Sequence, residues 1–156
     1  LNIAVLSLTG QNNGAKKFGR VRETWNTTMK YGLTMMAVGG FFIFFLPKPL
    51  MTFFTDDPVV VGHGVDYLRI AAITLCSYVI LFQTVSLLQG LKRPLYAIII
   101  GVYRQVLAPS LVFYLLAFHY GFQESGIWWG IFLVTWSAAI ITFFYGRHIL
   151  NRITSG

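Results

Sequence analysis

Arg104 is the first residue to weigh for chemistry at membrane depth. It is the sole charge between Arg93 and Glu124, in a run otherwise built of apolar and small residues. Ten residues beyond Pro94, it sits about 15 Å along a helix, close to mid-membrane. A cation there serves a binding site, or packs structurally against backbone carbonyls or a polar neighbour, or snorkels to the interface. Ser77, Tyr78, Gln83 and Gln105 are polar groups in similar surroundings. They either line a polar cavity or hydrogen-bond between helices, each such bond contributing about 0.6 kcal/mol. Tyr78, Gln83, Arg104 and Gln105 are thus the candidate cavity residues. The acids Glu23, Asp56, Asp57, Asp66 and Glu124 all fall at expected helix ends or in loops. Asp66 reads as a solvated charge near the positive end of a helix dipole.

Covalent chemistry finds no support. There is no Ser/His/Asp set, no phosphate-binding loop and no paired carboxylates, so no enzyme and no catalytic residue are expected. His63, His119 and the single cysteine, Cys76, show no metal-site spacing. Neither a resident metal nor an organic cofactor is expected.

The elements that position these residues follow from where charge is missing. Charged residues make up 11% of the 156, against about 25% in a soluble domain. Residues 31–47, 70–91, 105–123 and 125–146 carry no Asp, Glu, Lys or Arg. About 20 apolar residues in a helix cross the hydrocarbon of a bilayer. Runs such as Phe41-Phe42-Ile43-Phe44-Phe45-Leu46 are apolar on every face, which excludes the strict alternation of a membrane barrel. The expected fold is an all-α multi-pass membrane protein with spans at about 28–46, 64–88, 95–118 and 126–146. Leu1–Asn13 reads as the end of a further apolar helix, which makes residues 1–156 a partial bundle.

Pro47 and Pro49 end the first span. Asp57 is an N-cap, with Pro58 at the first helical position. Gly90 stops the second span, Pro94 opens the third, Pro109 kinks it, and Gly121 to Gly126 form the last loop. Gly10 with Gly14 and Gly126 with Gly130 form two weak GxxxG pairs. Trp128, Trp129, Tyr120 and His119 cluster at one end of the last two spans, as an interfacial aromatic belt does.

Lys16, Lys17, Arg20, Arg22, Lys30, Lys92, Arg93, Arg147 and Arg152 fall on one side of these spans, and Lys48 and Arg69 on the other. Nine against two places the Gly14 segment, the Lys92 loop and the C-terminus in the cytoplasm by the positive-inside rule. The net charge of +7 then reflects topology and contact with anionic lipid, not nucleic acid.

Several stretches carry a resemblance. Leu8-Thr9-Gly10-Gln11-Asn12-Asn13-Gly14-Ala15-Lys16-Lys17-Phe18-Gly19-Arg20-Val21-Arg22 resembles a loop of the multidrug and toxic compound extrusion (MATE) family. Leu88-Gln89-Gly90-Leu91-Lys92-Arg93-Pro94, Tyr103-Arg104-Gln105 and Gly126-Ile127-Trp128-Trp129-Gly130 resemble its last helices. Phe54-Thr55-Asp56-Asp57-Pro58 followed by Asp66-Tyr67-Leu68-Arg69-Ile70 fits the same order.

The resemblance implies the end of helix eight through helix twelve of a transporter with two six-helix bundles. Such proteins export organic cations and other amphipathic small molecules against inward Na+ or H+, by alternating access about a central cavity. It implies an inner (plasma) membrane location, with the N-terminal bundle and membrane lipid as partners. Sodium-coupled members carry an acid in helix ten; Thr74 to Gln83 here holds Cys76, Ser77, Tyr78 and Gln83 instead. The coupling ion is therefore expected mainly in the N-terminal half. Two rivals remain. One is a self-contained four-helix membrane assembly protein. The other is a lipid-flippase relative, which should place more charges in its cavity than Arg104 alone.

Overall fold

Lipid offers the backbone no hydrogen bonds, so every segment at that depth must satisfy its own; helices fill almost the whole chain. The computed structural model describes residues 1–119, 121 and 123–154, without the side chains of Ala117, Phe118 and Gln123. In chain order they are α1 (Asn2–Gly14), α2 (Phe18–Phe45), α3 (Pro47–Thr52), α4 (Pro58–Gly90), α5 (Pro94–Val102), α6 (Ala108–Phe113) and α7 (Gln123–Thr154). π-Helical turns at Tyr103–Leu107 and Tyr114–His119 follow α5 and α6, and no strand occurs among the described residues. Four stretches are long and apolar enough to cross a membrane: Phe18–Phe45, Pro58–Gly90, Pro94–Leu116 and Glu124–Thr154.

These helices run past the expected spans, because a helix need not stop where hydrocarbon does. α2 starts ten residues before position 28, and α7 continues to Thr154. The expected Gly121–Gly126 loop is shorter than read, since α7 already begins at Gln123. α3 was not anticipated: Pro47 and Pro49 break α2, yet Pro47 then serves as the first residue of a short helix.

The signal at the start of α4 acts as expected. Asp57 caps α4 through its side chain, accepting from the backbone N–H of Val59 at 2.8 Å and of Val60 at 3.5 Å. Ahead of Pro109, whose ring crowds the carbonyl four residues back, the helix widens into the Tyr103–Leu107 π turn.

The two basic turns share one backbone solution. After α1, Lys17 N–H donates to the Asn12 carbonyl and Lys16 N–H to Asn13. After α4, Arg93 N–H donates to Leu88 and Lys92 N–H to Gln89. This paired pattern needs a left-handed residue just past each helix. Lys16 at φ 56° and Lys92 at φ 62° fill that place.

α4 is the centre of the bundle, with α1, α2, α3, α5 and α7 packed around it. Half of its apolar window is buried, against 17%, 11% and 33% in the other three spans. Phe41, Phe45, Ile98, Leu107, Leu111 and Phe144 stay exposed, as a lipid-facing surface requires. Small residues set the approach. A Cβ on Gly40 would lie 2.9 Å from the Ala72 carbonyl oxygen, and one on Gly90 2.9 Å from that of Leu6. A Cβ on Gly146 would run into the Thr84 side chain. The GxxxG pairs contribute unevenly: Gly130 packs on Phe113, whereas nothing lies within 4 Å of a Cβ on Gly14. α5 is tied to α7 by Tyr96 stacked on Tyr145, with centroids 4.3 Å apart, and by the Tyr96 hydroxyl donating to Thr142 at 3.3 Å. The Tyr103 and Ser137 hydroxyls meet at 3.0 Å.

Gly39 and Gly40 separate packing from helix propensity. A Cβ at Gly39 meets nothing within 4 Å, while one at Gly40 meets backbone. Gly40→Ala should lower thermal stability in detergent by about 1–3 kcal/mol through overpacking. Gly39→Ala should leave it unchanged or raise it by about 0.5–1 kcal/mol.

Candidate functional site

Residues near the middle of α2 and of α4, with the first residues of the chain, line a cavity of about 470 Å3. Met35 and Met36 of α2 form one wall, and Tyr78, Phe82 and Gln83 of α4 another; Leu1 and Asn2, at the start of α1, complete the lining with Ile3. Gln83 is 1% exposed, and its Nε2 donates to the Thr28 carbonyl at 3.1 Å. Its Oε1 is buried with no donor among the described residues. Gly32 makes this crossing feasible, because a Cβ there would stand 2.7 Å from both the Gln83 Nε2 and a Val79 methyl. Ser77 is also buried but turns inward to its own helix, donating to the Thr74 carbonyl at 2.7 Å.

Tyr78 and Phe82 lie one turn apart on α4, so their rings share a face. They stack with an interplanar angle of 9° and centroids 6.0 Å apart. Arg104, delivered by the Tyr103–Leu107 π turn, sets its guanidinium 5.9 Å from the Tyr78 centroid and 5.4 Å from that of Phe82. It makes no salt bridge among the described residues. The negative ring faces are therefore its partners, an interaction contributing about 0.5–2 kcal/mol.

Of the four candidates, Tyr78 and Gln83 come together on the cavity wall, and Arg104 touches the Tyr78 ring without lining the cavity. Gln105 is exposed and lies apart from this cavity. Phe82, Met35, Met36 and Gly32 were not singled out from sequence. The four-residue spacing of Tyr78 and Phe82 carried a signal for the first; the α2 residues needed the tertiary packing.

At the opposite end from the basic turns, the Trp128 ring lies 6.4 Å from that of His63 and 6.0 Å from that of Tyr67. His63 Nδ1 lies 3.4 Å from a Glu124 carboxylate oxygen. Trp128 thus joins α7 to α4 here, while Trp129 and His119 are exposed. Tyr120 lies outside the described residues. No group of three or more His, Cys, Asp or Glu side chains could hold a metal ion among the described residues.

The MatE family model matches residues 1–115, about three quarters of the chain. The chain belongs to the MatE family. No curated protein matches it. Solved structures of MATE transporters share its fold. An outward-facing multidrug resistance MATE transporter of the MOP superfamily superposes with a TM-score of 0.89 at 21% identity. That match covers 99% of this chain and 35% of the other. An inward-facing one gives 0.89 at 19% identity, covering 99% and 36%. A MOP superfamily transporter from Pyrococcus furiosus, described as having a reversed binding-pocket polarity, gives 0.89 at 18%, covering 98% and 34%. The chain therefore spans about a third of the length of these transporters. It is a multi-pass membrane protein of a transporter family, with the MATE helical fold.

The contact between Arg104 and the ring pair is measurable by a double-mutant cycle. Arg104→Gln and Tyr78→Leu should each destabilise the protein in detergent. Their combined effect should fall short of the sum by about 0.5–2 kcal/mol, read from thermal midpoints. Strict additivity would mean that the charge and the ring do not interact.

Proposed function

We propose that this MatE chain is the C-terminal part of a secondary antiporter, from the end of helix eight through helix twelve. It moves amphipathic organic cations outward against Na+ or H+, with its C-terminus in the cytoplasm of a cell bounded by this inner membrane. The observation that carries the reading is the equal fit, TM-score 0.89 over 99% of the chain, to an outward-facing and an inward-facing relative. A block whose internal fold suits both states behaves as one body that tilts against its partner bundle, as alternating access requires.

Local chemistry supports the substrate class. Tyr78 and Phe82 offer stacked aromatic faces, and Met35 and Met36 offer an adaptable wall. Arg104 spends its charge on that ring pair. Glu23 and Asp66 lie in the second and third turns of α2 and α4, Asp56 and Asp57 between α3 and α4, and Glu124 in the first turn of α7. None of them lines the cavity, so the coupling ion is assigned to the N-terminal bundle, the partner this chain rocks against. No bond is made or broken in such a cycle, and no catalytic residue is assigned.

Expression of the natural gene product in a drug-sensitive strain should lower ethidium accumulation several-fold, whereas residues 1–156 alone should leave it unchanged. Single cysteines at Lys16 and Lys92 should react with a membrane-impermeant thiol reagent only from the cytoplasmic side. Labelling of both from outside would reverse the orientation, and ethidium efflux by residues 1–156 alone would refute the half-transporter reading.

A further inference from the structure

At the basic end of the bundle, α2 and α7 diverge around a second cavity of about 440 Å3. Three cations line it: Arg22 and Lys30 from α2 and Arg147 from α7. None of the three meets a carboxylate within salt-bridge distance among the described residues. Arg22 is steadied by donating from Nη2 to the Asn151 side-chain oxygen, which leaves most of its N–H donors uncommitted. The indole of Trp25, 4% exposed, forms part of the same wall, and its Nε1–H is buried without an acceptor among the described residues.

Depth and shape point to one kind of occupant. Lys30 is the last charge before the uncharged stretch 31–47, and Arg147 is the first after 125–146. Both therefore mark the boundary between hydrocarbon and headgroups on the basic side of the bundle. Below them the cavity continues into a wholly apolar groove of about 200 Å3. The two share Met29, Leu33 and Phe143, and Ile80, Ile140 and Phe144 complete the groove.

We propose that the cleft between α2 and α7 is a binding site for an anionic phospholipid. The headgroup phosphate lies among Arg22, Lys30 and Arg147 and accepts from the Trp25 indole. One acyl chain fills the groove against Ile140 and Phe144. Charge complementarity selects an anionic over a zwitterionic headgroup, since each basic residue near an anionic surface strengthens binding roughly fivefold. The lipid then bridges two helices that otherwise touch only sparingly.

Native mass spectrometry of the detergent-purified natural gene product tests this with dioleoyl phosphatidylglycerol, dioleoyl phosphatidylcholine, glycerol phosphate and inorganic phosphate as probes. Phosphatidylglycerol should be retained at least tenfold more strongly than phosphatidylcholine. The double variant Arg22→Gln/Arg147→Gln should lose about 30-fold of that retention. Lys17→Gln/Arg20→Gln, which removes two basic residues outside the cleft, should change it less than twofold. Should the double variant misfold, Lys30→Gln alone should weaken retention about fivefold, because Lys30 is exposed and its ammonium meets no carboxylate among the described residues. Equal retention of the two lipids would overturn the proposal, as would indifference to the Arg22 and Arg147 changes. Full displacement of phosphatidylglycerol by glycerol phosphate or inorganic phosphate would also overturn it, marking a free-anion site.

Discussion

Lipid tails are as apolar as leucine, so a membrane helix gains little by exchanging lipid for another helix. What holds this bundle together must therefore be close approach. Dispersion attraction is weak for one atom pair and large in sum, and it accumulates where two backbones come near enough to exclude lipid. α4 carries that constraint. Gly90 meets α1, Ala72 meets Gly40 of α2, and Thr84 meets Gly146 of α7. In each case one partner has no side chain, and the gap a Cβ would need is filled by the facing helix. Buried Thr74, Ser77 and Thr84 fit the same scheme. Each hydroxyl bonds back to a carbonyl of α4 itself, so these small polar residues line the seams with their own donors satisfied.

The candidate site is a consequence of that packing. Where Gly32 admits Gln83 across α2, the two helices are pinned at Thr28. Beside that pin lies a space walled by methionine and aromatic side chains. A π turn before Pro109 brings Arg104 onto the Tyr78–Phe82 pair. A cation within an apolar stretch is costly in lipid; here aromatic faces stand beside the guanidinium. The same logic operates at the basic end, where the cleft between α2 and α7 leaves three cations for a headgroup and an apolar groove for its chain.

Much of the fold was legible because its determinants are local or compositional. Four uncharged stretches pointed to the four long apolar helices, Asp57 with Pro58 announced the start of α4, and Gly90 announced its end. Helix ends were less legible: α2 and α7 continue into charged sequence that only excludes hydrocarbon, not helix. α3 was hidden because proline both breaks one helix and opens another. At the site, residue type alone drew attention to Tyr78, Gln83 and Arg104. Gln105 has the same chemistry as Gln83 but is exposed and does not line this cavity; helix phase within a uniformly apolar stretch carries no signal of which side meets a neighbour. Gly32, Gly40 and Gly146 were unreadable for a related reason. A glycine matters through what faces it, and that is a tertiary fact.

For the bundle to hold, α4 must stand within contact distance of its neighbours, and the α4–α7 seam offers the most direct test. A Cβ at Gly146 would lie 3.7 Å from that of Thr84, within the usual Cβ separation of a disulfide. Thr84→Cys/Gly146→Cys, in a background with Cys76 replaced by alanine, should oxidise to a disulfide in native membranes and leave no alkylatable thiol. If both thiols stay reactive under oxidant while the protein remains folded and inserted, α4 and α7 do not meet as described and the central packing is wrong.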